Sequence, residues 1–209
     1  MISVLRNYPS TLVVTTLALL VWAVPSLGSL LETNFALIGE GQWWRIWTGH
    51  LVHFDGGHLF WDLMMFVALG SVCERQHPRL FPIAWFVLAT GVTLGLAMFC
   101  DGIGSYRGLS GIDTGLFVWL ASERVFRSCI DRERVTAFAW LLALIGLTGK
   151  LVFETVTGQT LFVDSSGFTP LVEAHLAGVM FGFICSLIVF ASARDEEISL
   201  DERFVRCGK

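Results

Sequence analysis

Charge is what this chain has least of. Only 15% of its 209 residues are charged, against roughly 25% in an ordinary soluble domain. That is too little to clothe a soluble surface of this size. Hydrophobic residues make up 54% and the mean hydropathy is +0.66. They fall in runs, and a membrane span needs about 20 apolar residues. A large soluble domain, a Rossmann or P-loop unit and a nucleic-acid-binding body are excluded on this ground. Cysteine patterning is missing too. Cys73, Cys100, Cys129, Cys185 and Cys207 are odd in number, scattered, and form no Cys-x-x-Cys. A disulfide framework and a zinc ribbon are excluded, and the thiols read as buried or incidental. No low-complexity segment stands out, and residues 1–209 read as a single membrane domain.

What is present is a series of apolar runs. They predict an all-α polytopic membrane protein with six spans: 11–31, 58–73, 80–100, 110–126, 135–153 and 170–193. The first run is too long for a signal-peptide core and reads as a retained helix. Residues 194–209 read as a solvated cytoplasmic tail of mixed charge. With six spans, eleven Lys and Arg fall on the side of the termini. Arg45, Arg107 and Lys150 fall on the other. This bias predicts cytoplasmic termini. The long loop from Leu31 to Gly57 is then an outer loop. Its Trp43, Trp44 and Trp47 suit the membrane interface.

Ionisable groups inside apolar spans are expensive, so each needs a reason. His58 and Asp62 lie in the second span, Asp113 in the fourth, and Glu173 and His175 at the start of the sixth. Lys150, near the outer end of the fifth, can snorkel and is given no chemistry. Spans two, four and six all enter from outside. His53, His58, Ser110 and His175 therefore share one depth, on the order of 5–10 Å below the outer interface. Gly111 and Gly115 form a small-x-x-x-small pair in span four, and Gly178 and Gly182 form another in span six. Such pairs let helices approach closely. His175 shares the face of Gly178 and Gly182. Packing on these faces would bring Ser110 to His175.

A Ser–His pair is a nucleophile with its general base. The oxyanion formed on attack needs preorganised donors. Ser110 opens a helix, where its backbone N–H is unused. His53 can add a side-chain donor, and Gly108 and Gly111 permit a tight entry to the helix. Metal binding by His53, His58, Asp62 and His175 competes with this reading. It is weakened because no His-Glu-x-x-His occurs and no second acid stands ready as a base. An ion or proton relay through Asp62, Asp113 and Glu173 is a further alternative, weakened by the lack of an inverted repeat.

Four ordered motifs carry a resemblance. Gly41-Gln42-Trp43-Trp44-Arg45 is similar to a first-loop Trp-Arg motif. His53, His58 and Asp62 match His-x4-His-x3-Asn except at the last position. Gly108-Leu109-Ser110-Gly111 matches Gly-x-Ser-Gly. Ala174-His175-Leu176-Ala177-Gly178, followed by Gly182, matches Ala-His-x-x-Gly-x-x-x-Gly. With these the chain resembles the rhomboid intramembrane serine proteases over nearly its whole length. The resemblance implies a six-helix bundle and a Ser110–His175 dyad without a third acid. It implies an oxyanion site from the Ser110 N–H, the His53 side chain and an Asn, and no cofactor or metal. It also implies a capping loop from about Thr155 to Thr169, containing Phe162 and Phe168, and a gating role for the fifth span.

Two departures stand out. Asp62 replaces the family's Asn, and an ionised carboxylate offers no donor. The expectation is that an apolar setting holds Asp62 neutral or that it pairs with His53 or His58. Thr114 stands where many relatives carry an aromatic that supports the histidine, which makes Glu173 and Asp113 neighbours to watch. The compact form, with Arg107 before the serine motif, resembles the bacterial rhombosortases. That resemblance implies substrates anchored by one span or by a C-terminal tail of Gly-Gly, an apolar helix and basic residues. It also implies residence in the bacterial inner membrane, with the site facing outward. The alternative within the same fold is a catalytically inactive membrane binding protein.

Overall fold

The computed structural model describes residues 8–100, 102–159 and 171–207, with side chains through residue 191. Six long helices dominate: α1 (Pro9–Ala23), α2 (Gly56–Gln76), α3 (Phe81–Phe99), α4 (Ser110–Ile130), α5 (Arg134–Thr157) and α6 (Val172–Cys207). Helices α2, α3, α5 and the Val172–Ala191 part of α6 are long and apolar enough to cross a membrane. Helix α1 is apolar but has 15 residues. Helix α4 has 21 residues and carries Asp113, Glu123, Arg124 and Arg127.

Two expected boundaries change. The first apolar run is not one helix to Leu31. It stops at Ala23 and resumes as a short helix, Ser26–Leu31, because Pro25 lacks an N–H and disfavours helical backbone at Val24. The helix expected to end near residue 193 continues to Cys207, so the segment read as a solvated tail is helical over most of its length.

Local chemistry sets the other ends. Asp55 caps α2 by accepting the His58 N–H at 2.8 Å. Gly158 ends α5 in the left-handed conformation, φ +67°. The free N–H groups of α1 are capped from another helix: buried Glu74 accepts from Ser10 N, Thr11 N and Thr11 Oγ1 at 2.7–2.9 Å.

The long connection from α1 to α2 is ordered. Thr33–Asn34 pairs antiparallel with Ser105–Tyr106, in the register Thr33 to Tyr106. Short helices Phe35–Gly39 and Arg45–Thr48 and a 3₁₀ turn, Gly49–Leu51, follow. Arg45 is buried at their centre. It donates to the Ser29 and Glu32 carbonyls, each at 2.9 Å, and to Gln42 Oε1 at 2.8 Å. Trp43 and Trp44 stay exposed, while Trp47 donates to Thr90 Oγ1 of α3 at 2.9 Å.

The core is filled by Phe66, Phe81, Leu88, Leu116 and Trp119. Large apolar side chains also cover the outer surface, among them Leu17, Ile83, Val135, Phe138 and Ile145. That is the pattern of a bundle solvated by lipid rather than water. Helices α4 and α6 meet almost without side chains between them. A Cβ added to Gly178 would collide with the Gly111 carbonyl, and one added to Gly182 with the Gly115 carbonyl. Small residues permit this approach. Gly91 and Gly95 of α3 receive Phe181 and Ala177 of α6 in the same way.

Candidate active site

Ser110 is the first residue of α4 and is half-buried. The first hydrogen bond of that helix runs from Asp113 N–H to the Leu109 carbonyl, at 2.9 Å. The N–H groups of Ser110, Gly111 and Ile112 precede it and are the donors a helix start leaves over. The turn into the helix depends on Gly108. Its φ is +117°, and a Cβ there would lie 2.8 Å from His58 Nε2 and 3.1 Å from Asp62 Oδ2. A side chain at this point would be both strained and obstructed.

His175 sits in the first turn of α6 and is 8% exposed. The residues beside it and beside Ser110 touch: a Cβ on Gly111 would lie 2.9 Å from the Ala174 carbonyl oxygen. The glycine faces thus seat the start of α6 on the start of α4. Gly115 and Gly178 continue the contact, with the Gly178 carbonyl 3.0 Å from a Cβ at Gly115.

The carboxylate at His175 was not the one expected. The resemblance implied a histidine without an acid, with Glu173 and Asp113 as neighbours to watch. Instead Glu154 of α5 places Oε2 3.2 Å from His175 Nδ1. Glu154 is 1% exposed, and its two oxygens accept from Lys150 Nζ at 2.7 and 2.8 Å. Lys150, assigned only snorkelling from the sequence, therefore belongs to a charged chain that ends on the histidine. The sequence did hold a signal, a Lys and a Glu four residues apart on one helical face. Nothing in it pointed that face at His175. Asp113 is buried and has no hydrogen-bond partner among the described residues. Thr114 donates to the Ser110 carbonyl at 2.9 Å.

His53, His58 and Asp62 form one cluster. Asp62 Oδ2 lies 3.2 Å from His53 Nε2 and 3.3 Å from His58 Nε2, at ion-pair distance from both, although His53 closes no hydrogen bond of standard geometry among the described residues. The same oxygen accepts the Leu109 N–H at 2.7 Å, which fastens α2 to the residue before Ser110. His53 and His58 stack edge to face, 5.0 Å between centroids. Among the described residues, no three side chains of this kind are grouped to hold a metal ion.

Two residues not singled out in the sequence complete the surroundings. His50 is fully buried. Its Nε2 lies 3.0 Å from the Ala89 carbonyl and 3.2 Å from Thr93 Oγ1, and its Nδ1 lies 3.3 Å from the Gly108 carbonyl. Burial outweighs those carbonyls and lowers its pKa from 6.5 to about 4. Tyr106, on the short strand, packs edge to face on His50 at 5.4 Å. Its hydroxyl faces the Ser110 side chain and the Gly111 backbone, yet closes no hydrogen bond of standard geometry among the described residues. Burial raises its pKa, so the phenol stays protonated. Of the capping loop expected from about Thr155 to Thr169, Thr155–Thr157 still belong to α5 and Gly158 ends that helix, while the part with Phe162 and Phe168 lies outside the described residues.

A family model described as "Rhomboid domain" matches residues 40–192. Among curated proteins, the chain is 27% identical over 192 residues to "Rhomboid protease GlpG" of Pectobacterium atrosepticum, covering 84% of this chain and 59% of that protein. It is 24% identical over 156 residues to "Rhomboid protease GluP" of Bacillus subtilis, covering 72% and 27%. It is 27% identical over 148 residues to "Rhomboid protease GlpG" of Photorhabdus laumondii, covering 69% and 46%. The chain thus spans about six-tenths of the length of the Pectobacterium protein and less of the other two.

Proposed function

The chain belongs to the rhomboid family, and on that premise we propose that it is an intramembrane serine endopeptidase. Its substrates are membrane-anchored proteins, cut within or beside a transmembrane segment. The observation that carries this reading is the seating of α6 on α4. It sets the residue before His175 against the residue after Ser110, with His175 Nδ1 engaged elsewhere. An imidazole whose Nδ1–H donates to a carboxylate keeps the lone pair of Nε2 for a hydroxyl.

In the mechanism, Ser110 Oγ attacks the scissile carbonyl carbon as His175 Nε2 takes its proton. The C–N bond breaks when the imidazolium returns that proton to the leaving amine. Water then adds to the acyl-enzyme by the same route and releases the acid. The N–H groups at the start of α4 stabilise the oxyanion, with the helix dipole behind them. His53 supplies a side-chain donor. Asp62 supplies none, because its Oδ2 accepts from Leu109 N–H and faces both histidines. The Tyr106 hydroxyl, protonated and facing Ser110, takes the place that the Asn leaves vacant.

The finer features are part of the same proposal. Six spans put both termini in the cytoplasm of a bacterial inner membrane and open the site outward. This orientation is supported by the Lys and Arg bias. The Arg107-Gly108-Leu109-Ser110-Gly111 segment supports a rhombosortase-like preference for C-terminal Gly-Gly tails. Arg107 is held by Glu32 at 2.8 Å and lies over the Phe54 ring at 5.1 Å. The test is co-expression with single-span substrates, with and without a Gly-Gly tail. Cleavage that requires Ser110 supports the protease. Binding without cleavage favours the inactive membrane protein. Cleavage of tailed and untailed substrates alike rejects the tail preference.

A further inference from the structure

Helix α5 is the most lipid-exposed of the long helices, and among its 24 residues only Leu151 and Glu154 are buried. An ionisable side chain is thus one of the two that this helix buries. Burying a carboxylate is costly unless it is paired and hydrogen-bonded. A structural ion pair with Lys150 alone would not require that side chain to face His175. A chain of three groups runs inward instead: Lys150 Nζ to Glu154 at 2.7 and 2.8 Å, then Glu154 Oε2 to His175 Nδ1 at 3.2 Å. Lys150 is the outer member, with its side chain 26% exposed.

We propose that Glu154, paired with Lys150, is the positioning residue of the site and makes it a Ser110–His175–Glu154 triad rather than a dyad. This inference rests on the protease reading. The carboxylate fixes the tautomer with hydrogen on Nδ1 and aims Nε2 at Ser110. It also offsets the positive charge that the ring acquires when it takes the serine proton. Glu154 does this work from a third helix, so the histidine is held on both sides: by Gly178 packing on α4 and by a charged contact from α5. The aromatic support that Thr114 cannot give is replaced by a hydrogen bond from the opposite side of the chain.

The test uses the full chain in detergent with a fluorophosphonate probe that acylates reactive serines. The maximal labelling rate constant, the half-saturating probe concentration and the melting temperature are measured together. Glu154→Gln keeps size and one acceptor oxygen but loses the charge and the second acceptor. It should lower the maximal rate roughly 10²–10⁴-fold, with half-saturation and melting temperature unchanged. Glu154→Asp should recover part of the rate. Lys150→Gln should lower the rate and Lys150→Arg should not. A Glu154→Gln rate within about twofold of wild type, or a loss carried by half-saturation alone, overturns the proposal. If Glu154→Gln does not fold, Lys150→Gln against Lys150→Arg decides. Labelling that survives Ser110→Ala instead overturns the protease reading, so the two failures are distinct.

Discussion

Gly178 of α6 rests directly on the carbonyl of Gly111 in α4, one residue past Ser110. No methyl group fits between them. The positions of Ser110 and His175 are therefore set by backbone contact, which side-chain rearrangement cannot relax. Gly178→Ala should force the helices apart and destabilise the protein by about 1–3 kcal/mol, the usual cost of overpacking. Activity should fall further than stability, because a displacement of this kind misplaces the reacting groups. A melting curve and a labelling rate on the same preparation check both parts.

Asp62 joins α2 to the start of α4 through the Leu109 N–H. Asp62→Asn keeps an acceptor for that N–H and adds a donor, so the cleavage rate should be retained or rise. Asp62→Ala leaves the N–H unpaired and should lose about 1–3 kcal/mol, with a clear loss of rate. A total loss of cleavage in Asp62→Asn would contradict the role given to the carboxylate.

Tyr106→Phe removes one hydroxyl and nothing else. If that hydroxyl donates to the oxyanion, the maximal rate should fall roughly 10–10³-fold while the melting temperature holds. Asp62→Asn placed in the same chain should restore part of the loss. Rates that simply multiply in the double variant would mean that the two groups serve different points.

His50 carries a pH dependence of stability. Its pKa is about 4 when folded against 6.5 ordinarily. Between these values the unfolded chain binds a proton that the folded chain does not. Stability should therefore decline as pH falls from about 6.5 toward 4, with no contribution from His50 above that window. His50→Asn should flatten this part of a plot of melting temperature against pH.

Much of the arrangement was legible because His58, Ser110 and His175 stand in the first turns of α2, α4 and α6. The spacing of His53, His58 and Asp62 placed them together, and the two glycine pairs identified the contact between α4 and α6. Glu154 was not legible. It lies near the end of a helix whose other residues, Leu151 apart, are not buried, 21 residues before His175, and no periodicity reports which neighbour a helix end meets. Arg45 was visible within a motif, but its role as the centre of the first loop depends on carbonyls at Ser29 and Glu32. Their direction is set by the break at Pro25 and the short helix after it. Tyr106 gave no signal at all, since its position follows from a two-residue strand pairing across the chain.

The most direct measurement is the site of covalent modification. Wild-type protein in detergent is treated with the fluorophosphonate probe, digested and mapped by mass spectrometry beside Ser110→Ala and His175→Ala. One adduct on Ser110, absent from both variants, is the predicted result. An unlabelled wild type, an adduct elsewhere, or full labelling of Ser110 in His175→Ala would contradict a serine activated by that histidine.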